Sequence, residues 1–120
     1  MIERGVDRII ERKRTEVQEA KQQADSIRAR VTQRETYDRA VADAEAAEEH
    51  LDAVVSPLTS ERYLAAAASF DQARDGFLSA YRSANELRER ARRAIDSADA
   101  AISGSEQEIT DLESDLQDEE

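Results

Sequence analysis

Apolar residues recur at alternating steps of four and three along most of this chain. From Tyr63 the row runs Tyr63, Ala67, Phe70, Arg74, Phe77, Tyr81, Ala84, Arg88, Ala91, Ile95, Ala98, Ile102, Ser105, Ile109, Leu112 and Leu116. Only Arg74, Arg88 and Ser105 interrupt it. A heptad pattern held this long predicts a helix packed against helices along most of its length. Beside it, at steps of seven, lie Ala66, Ala73, Ala80, Leu87, Ala94 and Ala101. The two rows together make a stripe wider than a two-stranded seam needs.

The first half of the chain opens on a narrower seam of Ile10, Lys13, Val17, Ala20, Ala24, Ile27, Val31 and Arg34. After Val31 one row slips back by a residue, to Tyr37, Ala44, Leu51 and Leu58. Ala40, Ala47 and Val54 widen the face there. A one-residue slip matches the drift of a straight helix with 3.6 residues per turn. Neither Gly nor Pro occurs between Val6 and Val55, and good helix formers dominate. The pattern therefore predicts a helix over about residues 2–55.

The seam steps by five from Leu58 to Tyr63, where a continuous helix would step by three or four. Pro57 disfavours helix at the residue before it. Ser56, Thr59 and Ser60 can each cap the next helix. The expected fold is all-α, one domain over residues 1–120. It is a long antiparallel helical hairpin with a turn at 56–60 and a second helix over about 61–116. Gly104 is a weak point in that helix; Ile109, Leu112 and Leu116 continue the row of Ile102 and favour one helix, with a short separate helix after Gly104 as the alternative. Folding at Pro57 pairs residue i with roughly residue 116 − i. Charge suits that register. Arg4, Arg8, Arg12, Lys13 and Arg14 fall opposite the acids between Glu106 and Asp115, Asp43 falls opposite Arg74, and Asp25 opposite Arg92.

The chain carries 28 acidic and 17 basic residues, a net charge of −11, and only Lys13 and Lys21 of the bases are lysines. Twelve of the acids are the short Asp. This composition resembles that of proteins from salt-loving prokaryotes. High negative charge itself speaks to solubility rather than to fold. No run of about 18 apolar residues exists, so no membrane span is expected. The first fourteen residues alternate charged and apolar groups, unlike a signal peptide, and a cytoplasmic location is expected.

Candidate chemistry is sparse. There is no Cys, and His50 is the single His. Disulfides, thiolate metal sites and histidine clusters are thereby excluded. Glu45, Glu49 and Asp52 share a helix face, but an acidic face in an acidic protein reads as solvated surface. The Glu-x-x-His pattern of carboxylate-bridged metal bundles is missing, since Ala47 stands three residues before His50. Nucleophile arrangements lack a base, and the glycines are too far apart to cradle phosphate. No catalytic residue, cofactor or metal site is expected, and the chain is not expected to be an enzyme. Arg88, Arg90, Arg92 and Arg93 form the densest basic run and are candidate partner contacts. Glu86 and Glu89 precede Arg90 and Arg93 at the spacing of helical ion pairs. No aromatics interleave with the run, so nucleic acid is not the expected partner.

An isolated two-helix hairpin buries one face of each helix, and these seams are rich in Ala, which buries little area. Self-association through Tyr37, Leu51, Val54, Tyr63, Phe70, Phe77, Tyr81 and Leu87 would complete a four-helix bundle. The expectation is a homodimeric coiled-coil scaffold or adaptor. The alternatives are a binding module for another protein's helix and, less favoured, a nucleic-acid-associated protein using the Arg88–Arg93 run. Charge bands along the hairpin favour a staggered antiparallel pair, with the acidic tip of each copy on its partner's basic middle.

Overall fold

The structure, a computed structural model, describes residues 2–52 and 57–118. Its helices, in chain order, are α1 Ile2–Ser26, α2 Ala29–Thr32, α3 Arg34–His50 and α4 Ser60–Asp118. Among the described residues there is no strand, so the protein is all-α as its pattern predicts. The chain divides into two compact units, Met1–Asn85 and Glu86–Glu120.

The reversal expected at Pro57 is present, and its pieces are legible. Thr59 caps α4, its hydroxyl accepting a bond from the Arg62 amide at 3.2 Å. The Arg62 guanidinium donates to the carbonyls of Pro57 at 3.2 Å, Glu49 at 3.3 Å and Asp52 at 2.7 Å. Cations at a helix C-terminus satisfy carbonyls that have no partner within the helix. One side chain thus ties the end of α3 to the start of α4. The antiparallel register of the two helices is the expected one. Ala40 stands directly against Gly76, and Tyr37 meets Phe77 with ring centroids 5.1 Å apart.

The long first helix differs from its expectation. It breaks at Arg28, which adopts the left-handed conformation with φ 58°. After the single turn of α2, Gln33 leads into α3 with φ −125°. The chain thereby reverses, and α1 runs antiparallel to α3 and parallel to the start of α4. Ion pairs report this path: Arg14 with Glu48, Lys13 with Asp71 at 2.7 Å, and Glu16 with Arg74 at 3.0 Å. The first unit is therefore a three-helix bundle. The ion pairs expected of a two-helix hairpin are replaced. Lys13 and Arg14 find acids on α4 and α3 instead of the acids between Glu106 and Asp115. Arg74 takes Glu16 and Asp75 in place of Asp43. Asp25 accepts the Tyr37 hydroxyl in place of meeting Arg92.

The physical reason lies in what α1 covers. Left-handed backbone costs a non-glycine residue about 1–2 kcal/mol. Folding back lets Ile10, Val17, Ala20 and Ala24 close over Phe70 and Phe77, which are left 2% and 1% exposed. Aromatic side chains bury far more area than the Ala-rich tail offers. Val31, expected in the seam, falls in the corner at 77% exposure, while Ala29 two residues before it is buried. The charge bands drawn for a two-helix hairpin do not apply, because Lys13, Arg14 and Glu16 pair with Asp71, Glu48 and Arg74 within the first unit.

Among the described residues, nine of the fourteen that are buried are Ala. Small side chains let the helices approach closely, and Gly76 marks one such close approach. A Cβ built on it would lie 2.9 Å from the Ala40 Cβ.

Candidate association surfaces

The residues expected to mediate self-association separate into two groups. Tyr37, Phe70 and Phe77 lie in the interior of the first unit. Tyr63, Tyr81 and Leu51 are half-buried against that core. Leu87 belongs to the second unit and is 45% exposed. Val54 lies outside the described residues.

Recesses open on the described surface of the first unit. A groove of about 820 Å³ has an apolar floor that includes Val17, Phe70 and Phe77, and a rim of Arg14, Lys21, Glu45, Glu48 and Asp52. Its rim is crossed by a two-pronged bond, Arg14 Nε to Glu48 Oε1 at 2.8 Å and Nη2 to Oε2 at 2.9 Å. Arg14 also pairs with Glu11, and its guanidinium stands 5.9 Å from the centre of the Phe70 ring. The bond to Glu48 first, and the pair with Glu11, push its pKa up against the opposing effect of burial. The arrangement holds the cation over the aromatic face. A second cleft of about 440 Å³ is apolar, formed by Val6, Ile9, Ile10, Leu58, Tyr63 and Leu64. Among the described residues, no three acidic or imidazole side chains come together as a metal site. Glu45, Glu48, Glu49 and Asp52 face the groove beside Arg14 and Lys21 instead.

The second unit presents a different surface. Residues 86–118 are helical throughout, and all but the half-buried Glu89 are exposed. Along this helix Ile95, Ile102, Ile109 and Leu116 recur at seven-residue steps, 56–65% exposed. Ala91, Ala98, Ser105 and Leu112 form the companion row, also at sevens, and Leu112 is 62% exposed. The two rows alternate as the a and d positions of a coiled coil. Helix α4 passes through Gly104 without a break.

Charge along this surface is polarised. The four arginines Arg88, Arg90, Arg92 and Arg93 lie at its start, and residues 95–118 hold eight acids and no base. All four arginines are exposed. Arg92 pairs with Glu89 at 3.8 Å, in place of the four-residue pairs expected from the sequence. Exposed pairs of this kind add little stability.

The sequence contains the Ile95–Leu116 seam in full, but pairs it with the opening helix of the same chain. The signal that separates it from an internal seam is its neighbour. The seam opposite, over residues 10–34, is narrow and interrupted by Lys13, and α1 folds elsewhere.

Among the described residues, no helix is long and apolar enough to cross a membrane. Compared with protein families, curated proteins and solved structures, the chain matches none.

Proposed function

We propose that this protein is a non-enzymatic scaffold or adaptor that acts by self-association through the second half of α4. One observation carries the reading. The helix over 86–118 bears an apolar heptad broken after Arg88 only by Ser105, and Ile95, Ile102, Ile109 and Leu116 are each more than half exposed. Monomeric soluble proteins rarely leave extended apolar rows in water. An isolated helix in water is also marginal without packing on its apolar face. The first unit already has its own core, so the second half of α4 is free for association. The absence of Cys and the single His support a role without chemistry at a site. The Arg-for-Lys and Asp-rich composition supports work in concentrated salt.

Light scattering of the full chain and of Ile102→Glu tests this. The wild-type chain should exceed 13.4 kDa, the mass of one copy. The variant should return to it with its cooperative unfolding transition intact, because Ile102 is exposed in the single chain. A wild-type chain that stays at 13.4 kDa up to millimolar concentration refutes self-association.

A further inference from the structure

Resting on that reading, we propose that the occupant of the Ile95–Leu116 face is the same face of a second copy, running antiparallel.

The argument starts from side-chain size. In one row of the seam every residue is large, and in the other row small residues hold the middle. A parallel pair sets each residue on its own copy. Ala98 would then face Ala98 and Ser105 would face Ser105, thin layers wedged between layers of paired isoleucines. An antiparallel pair sets each a position on a d position. Centred between Ile102 and Ser105, it lays Ile102 on Ser105, Ala98 on Ile109 and Ile95 on Leu112. Every layer then holds at least one large side chain, so the helices keep an even separation along the seam. Even separation avoids voids, and voids forfeit dispersion contacts.

Charge gives the same direction independently. The helix is basic near its start and purely acidic from Asp96 to Asp118. A parallel pair brings acid to acid, with Glu108 flanking Glu113 across both sides of the seam. A helix reversed on itself brings Arg92 beside Glu113 at both ends. A purely basic helix from another protein would match the acids but would oppose the four arginines. The polarity is matched by a reversed copy. Two symmetry-related like-charged approaches remain in the centre, Asp99 of each copy with Glu106 of the other.

The native chain has no Cys, so single cysteines report geometry directly. Ala98→Cys and Ile109→Cys are each prepared in the full chain. Mixed and oxidised, they should form a disulfide-linked pair of one copy of each, and either alone should link far less. A second test reverses charge. Arg92→Glu should weaken the dimer about tenfold, equivalent to about 1.4 kcal/mol. Adding Glu113→Arg should restore it, because only the antiparallel pair places these residues together. Efficient self-linking of Ala98→Cys, or no rescue by Glu113→Arg, in a chain that is still dimeric overturns the antiparallel register and leaves self-association standing. A chain monomeric by light scattering overturns both.

Discussion

The hydroxyl of Tyr37 donates to Asp25 of α1 at 2.6 Å, while its ring meets Phe77 of α4 edge-on at an interplanar angle of 72°. One side chain of α3 therefore touches both other helices of the bundle. Burial first, and the bond to Asp25 second, push its phenol up to about 12 from the ordinary 10.0. A raised phenol pKa means that the fold favours the neutral form. The corresponding stabilisation is complete below about pH 10 and is lost as pH rises towards about 12. Denaturant midpoints across that range should fall more steeply for wild type than for Tyr37→Phe. Equal slopes would show that the phenol ionises as freely in the fold as out of it. Gly76 supplies a second test. Its backbone needs no positive φ, so alanine would gain its full helix propensity of about 1 kcal/mol. Against this, the new methyl would stand 2.9 Å from Cβ and 3.5 Å from Cα of the fully buried Ala40. Neither is the flexible end of a side chain, and overpacking of this kind costs about 1–3 kcal/mol. Gly76→Ala should therefore unfold at lower urea than wild type. A higher midpoint would mean that α3 and α4 separate at little cost.

At the scale of elements, the corner from Ile27 to Gln33 decides the fold. Arg28 occupies the left-handed position that usually follows a helix as Gly or Asn. Arg28→Gly should relieve strain worth about 1–2 kcal/mol, offset by glycine's greater freedom in the unfolded chain of about 0.5–1 kcal/mol. A small gain in melting temperature is expected. A clear loss would mean that the Arg28 side chain holds the corner by contacts of its own. The corner also marks where the sequence stops being readable. The hairpin at Pro57 is legible because proline, the five-residue step and a threonine cap each point to it separately. Its register is legible because a reversal at Pro57 sets residue i opposite roughly residue 116 − i, where Ala40 and Gly76 meet. The reversal at Arg28 has no glycine or proline to announce it. Its trace is the slip of the seam between Val31 and Tyr37, which reads equally well as drift of a straight helix. Charge matching between the opening helix and the acids after Glu106 favours the wrong partner for α1. Exposed pairs are worth about 0.2–1 kcal/mol, and closing over Phe70 and Phe77 outweighs them. The association seam is legible residue by residue. Its exposure is not, because exposure depends on where α1 goes.

For the whole molecule, charge and apolar surface pull association in opposite directions. The second half of α4 holds ten acids and four bases over residues 86–118, a net −6 on each copy. Two such helices side by side repel over their full length. The antiparallel arrangement adds attraction at its two Arg92–Glu113 ends and repulsion at Asp99 and Glu106. The Debye length shortens from about 8 Å at 0.15 M salt to about 3 Å at 1 M. Repulsion summed over many separated charges is therefore largely removed, whereas close pairs and seam burial lose less. Raising KCl from 0.15 to 1 M should lower the dimer Kd and raise the helicity of the full chain by circular dichroism. Sedimentation equilibrium across the series measures the first quantity. A Kd that rises with KCl would show that the arginine contacts, and not the apolar heptad, hold the copies together. A Kd that falls fits a chain whose acidic surface keeps copies apart in dilute buffer and lets Ile95, Ile102, Ile109 and Leu116 bring them together in concentrated salt.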